Sequence, residues 1–526
     1  MNELNYPASL SRPASEPILI EGRPLSLAEI ESIAVSLRPV MLAPEAAVRI
    51  HLSREVIERI LETGQTVYGV NTGFGKLADV RIPAEKLTQL QTNLVRSHAC
   101  GLGEPLSTAE ARAMVLLRAN VLAKGHSGVR LELVELLLAM LNRGVTPVIP
   151  AKGSVGASGD LAPLAHLALV VLGEGEAFVD GQRMPASEAL ARHGIKPLAL
   201  AAKEGLALLN GTQAMTAVGA LTVAHGRHLT ELADLAGAMS LEALKGTPVA
   251  FDPRIHWARP HSGQIASAAN LTAILADSEI RASHIAPSDD PRVQDAYCLR
   301  CMPQVHGAVR DVLHHVAQIL ERESGSATDN PLVFPDDSQA VSGSEVLSGG
   351  NFHGAPLAYA FDYAAIALTD LASISERRID RLINPDINEG LPAFLCADAG
   401  LSSGYMIAHV TAAALLNECK VLAHPSSTDS VPTSGGKEDH VSMGMTGALK
   451  LRQIVDNLEL ILAIEMMCAA QGLDYRLPLK PSPVVGRAHA KIRSVVAHLY
   501  EDRIPAPDIE AIAALIRSNA FRRLDL

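Results

Sequence analysis

Five stretches almost free of proline dominate the second half of the chain: Thr212 to about Lys245, 305–323, 354–383, 403–423 and 443–471. Each is long enough for roughly five or more turns of α-helix. Helices of that length, joined by short turns rich in proline and glycine, read as a bundle. Strand-like runs are few and short, with Ile18 to Ile20 and Ala177 to Val179 as candidates. The expectation is a mainly α chain in two parts. Residues 1–210 form a loop-rich N-terminal unit, and residues 211–526 form a bundle of long antiparallel helices.

Composition limits the partners. Apolar residues make up 48% of the 526 positions and the mean hydropathy is +0.18. No uninterrupted apolar stretch reaches the eighteen or so residues of a membrane span. The longest, Leu161 to Leu172, is broken by Pro163 and His166. Apolar excess without a span suggests helices buried on all sides, hence a large core or extensive subunit contacts; an oligomer is expected and a membrane is not. A net charge of −12 and no basic run argue against nucleic acid. Met1 to Pro24 has no apolar leader core, and six scattered cysteines do not form a disulfide framework. A cytoplasmic location is expected. The isolated Cys298-Leu-Arg-Cys301 lacks a second pair and no H-E-x-x-H occurs, so no metal is expected.

Local signals give helix ends. Ser53 suits the cap of a helix closed by Gly64. Ser107-Thr-Ala-Glu110 is a capping box for a helix to about Ala123. A helix from about Val129 to Arg143 stops at Gly144, and Asp160 can cap one that stops at Gly173.

The chemistry is concentrated in residues 153–166, GSVGASGDLAPLAH. Gly153, Gly156 and Gly159 resemble a phosphate loop in spacing, but no Gly-Lys-Ser/Thr follows and Lys152 precedes the loop. Ala157-Ser158-Gly159 offers another use. Attack of the Gly159 amide nitrogen on the Ala157 carbonyl carbon closes a five-membered ring. Loss of two waters then leaves a methylidene-imidazolone (MIO), a carbon electrophile needing no external cofactor. Gly159 lacks a Cβ, which allows the close approach.

Such an electrophile needs helpers. Tyr68, in the glycine-rich run Tyr68 to Gly75, could act as a base if its surroundings lowered a phenol pKa near 10. Gln294, Tyr297 and Arg300 stand at i, i+3 and i+6, and an arginine fork suits a carboxylate. Asn210, before Gly-Thr, suits either a helix cap or a hydrogen-bond donor to the ring oxygen. Phe352 in Gly-Gly-Asn-Phe352 reads as ordinary packing.

The fourteen-residue string strongly resembles the prosthetic-group loop of the histidine and aromatic amino-acid ammonia-lyases. The Tyr68 run and Gln294-Asp-Ala-Tyr297-Cys-Leu-Arg300 resemble that family's motifs as well, and the likeness covers roughly residues 25–515. The resemblance implies MIO from Ala157, Ser158 and Gly159. It implies Tyr68 as base and Asn210, Tyr297 and Phe352 around the group, with Gln294 and Arg300 on the substrate carboxylate. It also implies a homotetramer with active sites shared between subunits. Ser97-His98 stands where the family's phenylalanine and tyrosine enzymes usually show Phe-Leu or His-Leu, and Glu438 where they usually show Gln. A buried His and Glu can both hydrogen-bond an imidazole, whereas a benzene ring would strand them at about 1–3 kcal/mol each. The expected reaction is therefore loss of ammonia from L-histidine to give trans-urocanate. Met406 matches a position near the substrate ring. Lys437, where many relatives show Gln, and Tyr405, where Phe is frequent, depart from the pattern. Phenylalanine or tyrosine ammonia-lyases, aminomutases on the same scaffold, and a catalytically silent helical oligomer are the alternatives.

Overall fold

The computed structural model describes residues 16–73, 75, 80–285, 292–335 and 345–522. Most of the segment read for a leader, residues 1–15, lies outside them. Among the described residues are nineteen α-helices and nine strands of two to four residues, so the fold is mainly α. Ile18–Ile20 pairs in parallel with Val40–Leu42, and Glu176–Val179 forms a hairpin with Gln182–Pro185.

The capping box behaves as its spacing demands. Ser107 accepts from the Glu110 amide, Glu110 returns to the Ser107 backbone, and the helix runs Thr108–Ala123. Helices end at Gly64 and Gly144, and Gly173 follows the Leu161–Val171 helix. Two expectations are corrected. The helix ending at Thr63 starts at Pro44, not Ser53: a proline in the first turn opens it, and Ser53 is buried mid-helix, donating to the Ile50 carbonyl. Asp160 makes no cap bond to its own helix, because more distant donors claim its carboxylate.

By contacts the chain falls into two compact units, each assembled from three stretches. The first is 1–224, 317–362 and 425–449; the second is 225–316, 363–424 and 450–526. In the first unit the Thr108–Ala123 helix is buried at every residue from Glu110 onward. Its polar residues are correspondingly engaged: Arg112 donates to the carbonyls of Ile33, Ala34 and Leu141, and Asn120 to those of Arg23 and Ser324. In the second unit, the portions of four long helices that belong to it pack side by side. Met302–Ser324 runs antiparallel to Gln213–Ala243, with Met302 against Gly237 and His306 and Arg310 on Asp234. Ala355–Ile383 and Gly444–Asp474 run parallel to it: Gly226 faces Leu368 and Val455, while Ser240, Ser375 and Arg378 converge on Glu465. One helix among the described residues, Ala355–Ile383, is long and apolar enough to cross a membrane. Its apolar window is 72% buried in the protein, as in the core helix of a folded chain.

Candidate active site

The tripeptide Ala157-Ser158-Gly159 lies in the first unit, in the loop between the Pro150–Lys152 strand and the Leu161–Val171 helix. Three segments hold it. Met443 donates its amide to the Val155 carbonyl, and Ser442 Oγ donates to that of Gly156 at 2.9 Å. The Gly354 amide reaches the Gly156 carbonyl, which brings the turn carrying Phe352 to the same loop. The third segment, Asn210-Gly211, bridges directly to Gly159, and the Asp160 amide donates to the Gly211 carbonyl at 2.7 Å. Gly159 is left-handed (φ +74°), and a Cβ there would collide with the Gly211 carbonyl. Glycine is required on both counts.

Two side chains address Ser158. Asn210 Nδ2 donates to the Ser158 carbonyl oxygen at 2.8 Å, and Ser158 Oγ donates to Glu438 Oε1 at 2.6 Å. Asn210 ends the Glu204–Leu209 helix, yet its amide side chain serves the loop and not the helix. Glu438 closes a tight turn in which Thr433 and Ser434 hydroxyls donate to its other oxygen, Oε2, at 2.8 and 2.7 Å. Burial pushes the Glu438 pKa up. The hydrogen bonds from Ser158, Ser434 and Thr433 and the nearby His98 more than offset this, so the carboxyl sits below its ordinary value.

His98, last residue of the Leu87–His98 helix, places Nδ1 2.8 Å from the Leu94 carbonyl, which only accepts. Nδ1 therefore carries a proton, which leaves Nε2 as the ring nitrogen not engaged by the helix. Tyr68 feels the charge of Glu438. Burial first, then that charge, raises its pKa, and only the Gly75 amide pulls it down. The surroundings within this unit thus oppose the lowered phenol pKa that a base requires.

Asp160 is fully buried, accepting from Ser154 Oγ at 2.7 Å and from the Met215 amide at 2.9 Å. Burial pushes its pKa up to about 6 despite those donors. Ser154, Thr433 and Ser434 escaped the sequence reading. Small hydroxyl residues near a glycine loop and four or five positions before Glu438 were the available signal.

Gln294, Tyr297, Arg300 and Met406 belong to the second unit. The first three come together as their spacing suggests: Arg300 Nη1 donates to Gln294 Oε1 at 2.6 Å, and its guanidinium lies 4.8 Å from the Tyr297 ring centroid. Met406 opens the Met406–Leu422 helix, and Lys437 is exposed.

Residues 25–494 match the family model described as aromatic amino acid lyase. The chain is 55% identical over 513 residues to histidine ammonia-lyase of Anaeromyxobacter dehalogenans (strain 2CP-C), covering 96% of this chain and 99% of that one. Among solved structures, histidine ammonia-lyase from Trypanosoma cruzi matches with a TM-score of 0.89 at 44% identity, over 97% of this chain and 95% of that one. Tyrosine aminomutase from Streptomyces globisporus matches with a TM-score of 0.91 at 39% identity, over 97% and 98%. The chain belongs to the aromatic amino acid lyase family and is a carbon–nitrogen lyase.

Proposed function

We propose that the protein removes ammonia from L-histidine to give trans-urocanate, using MIO formed from Ala157, Ser158 and Gly159. The residues present suit that group. Gly159 has no room for a Cβ, and Asn210 Nδ2 already donates to the Ser158 carbonyl, the oxygen that the ring would retain. Once formed, the group supplies an electrophilic carbon for the substrate.

The observation that carries the choice of substrate is the Glu438 carboxylate 2.6 Å from Ser158 Oγ, with His98 close enough to influence its charge. Ser158 loses that hydroxyl as water during ring formation, which frees Glu438 Oε1, while Thr433 and Ser434 keep the carboxylate oriented. Glu438 then accepts an imidazole N–H, and His98 completes a polar lining that a benzene ring would leave unpaired. Asn210 holds the ring oxygen. Arg300, steadied by Gln294 beneath Tyr297, takes the substrate carboxylate. Phe352 and Met406 supply apolar walls. Tyr68 takes the β-proton, and its anion needs stabilisation beyond the Gly75 amide, the one pKa-lowering contact among the described residues.

A homotetramer with shared sites is part of the same proposal. The Met406–Leu422 helix is apolar in sequence but buries only Ala408, Ala412, Leu416 and Cys419, leaving Ile407 61%, Val410 54% and Val421 68% exposed. An apolar face of this kind fits a subunit contact. Six free cysteines fit a reducing cytoplasm. Incubation with L-histidine, L-phenylalanine or L-tyrosine tests the reading. Urocanate is expected from histidine alone; cinnamate, coumarate or a β-amino acid as main product would move the protein to another branch of the family.

A further inference from the structure

Arg118 is the largest fully buried side chain near the tripeptide, and nothing in the reaction above uses it. It stands on the Thr108–Ala123 helix and reaches residues some ninety positions away. Nη1 donates to the carbonyls of Ala207 at 2.6 Å and Asn210 at 3.0 Å; Nη2 donates to the Asn210 carbonyl at 2.9 Å and to Gln213 Oε1. The three oxygens that take these four bonds are all neutral. Gln213 is in turn fixed by Thr328, to which its Nε2 donates at 2.8 Å.

The consequence lies one residue further on. Gly211 is pressed between two surfaces: a Cβ on it would strike the Arg118 guanidinium and Gln213 on one side, and a Cβ on Gly159 would strike Gly211 from the other. Guanidinium, Gly211 backbone and Gly159 therefore form one close-packed stack without side-chain padding. A second buried cation supports the same segment. Lys203 Nζ lies 2.8 Å from Asp329 and immediately precedes the Glu204–Leu209 helix that ends at Asn210.

We infer that Arg118 is a positioning residue for ring closure, holding the Asn210-Gly211 backbone as a fixed wall against Gly159. Closure makes a bond from Gly159 N to the Ala157 carbonyl carbon. That carbonyl oxygen leaves as water with the amide hydrogens of Ser158 and Gly159, and Ser158 Oγ–H leaves as a second water with the Ser158 Cα hydrogen. No oxidant or reductant is consumed. The difficulty is geometric, since an amide nitrogen must be brought against a carbonyl two residues back. A wall that cannot retreat removes the extended alternatives, in the way that preorganisation lowers other intramolecular barriers. Lysine, a compact point charge with three donors on one nitrogen, lacks the planar two-nitrogen fork that makes these four bonds.

The inference rests on the cyclisation reading above, and the test separates the two. Full-length wild type, Arg118→Lys, Gln213→Leu and Arg378→Lys are made by cell-free synthesis, chased, and followed by intact mass and near-ultraviolet absorbance. Far-UV circular dichroism and a cooperative melt establish folding. Wild type and Arg378→Lys, a buried arginine of the second unit, lose two waters at the same rate. Folded Arg118→Lys is expected to mature at least tenfold more slowly. Gln213→Leu, which removes one acceptor and leaves the carbonyls, is expected to mature about threefold more slowly, and serves as the deciding variant if Arg118→Lys does not fold. Maturation of the folded Arg118→Lys protein, or failing it of Gln213→Leu, at the wild-type rate overturns the role of Arg118 alone. A wild type that never loses the two waters removes the cyclisation reading and this inference with it.

Discussion

Two arginines, each fully buried, show how differently the two units use a charge in the interior. Arg378, in the second unit, meets Glu465 with its fork, Nε to Oε1 at 2.5 Å and Nη2 to Oε2 at 2.9 Å, and Ser240 and Ser375 satisfy the same carboxylate. The pair is neutral overall and ties helices together. Arg118, in the first unit, has no carboxylate in hydrogen-bond contact and is held by backbone carbonyls and an amide. Burial pulls its pKa down to about 10, with the more distant Asp329 and Asp160 opposing the shift. A charge matched by an ion pair stabilises packing. A charge matched by carbonyl dipoles fixes the course of the backbone, here the Asn210-Gly211 segment that walls in the tripeptide.

The contrast is tested most severely at the tripeptide itself. Ser158→Ala cannot lose the second water, so turnover and near-ultraviolet absorbance should both vanish while the melt stays close to wild type; appreciable urocanate from this variant would refute the assignment. Asn210→Ala removes the side-chain donor but keeps the backbone that Arg118 holds. A fall in kcat of about 10²–10³-fold is expected, in line with loss of an oxyanion donor, with the two-water loss intact. A variant that fails to cyclise would show that side chain and backbone cannot be separated in this way.

On the other side of the contrast, Arg378→Met leaves Glu465 buried without its partner. Urea unfolding should register a loss of about 3–5 kcal/mol, and the protein that does fold should carry the modification normally. A neutral result would mean that the pair is not fully desolvated.

Asp160 gives a pH signature to the first unit. Its folded pKa of about 6 lies above the unfolded value near 3.9, so the folded state takes up a proton as pH falls through 6. Stability should therefore rise between about pH 6 and pH 4, by on the order of 3 kcal/mol for this group. At pH 7.5 its burial cost is fully felt. The difference in urea midpoint between wild type and Asp160→Asn, measured at pH 7.5 and pH 5, should shift in favour of wild type at the lower pH. A difference independent of pH would place the carboxylate in a more polar setting than the structure gives it. The smallest effect is local: Ser107→Ala should cost about 1 kcal/mol through its helix cap and leave catalysis untouched.

Features decided within a few residues could be read from the chain. The Ser107 box, the helix ends at Gly64 and Gly144 and the short Ile18–Ile20 strand all depend on neighbours in sequence. Ser53 misled because a capping residue inside a longer helical run looks the same as one at its start, and Pro44 was the stronger signal. Asp160 misled because its partners, Ser154 and Met215, are tertiary. At the site, Ala157-Ser158-Gly159, Asn210 and Glu438 were visible through residue type and motif, and the structure hydrogen-bonds both Asn210 and Glu438 to Ser158. The parallel course of three long helices was invisible, since direction depends on connections and not on helical periodicity. Arg118 was invisible too. An arginine in an alanine- and leucine-rich helix reads as a solvent-facing charge until the carbonyls of Ala207 and Asn210 are brought to it.

The most direct test is the intact mass of the purified protein, followed by peptide mapping. A chain lighter than its sequence by two waters, with the deficit confined to the peptide containing residues 157–159, is the predicted result. Protein that converts L-histidine to urocanate while retaining its full unmodified mass would contradict the account at its root.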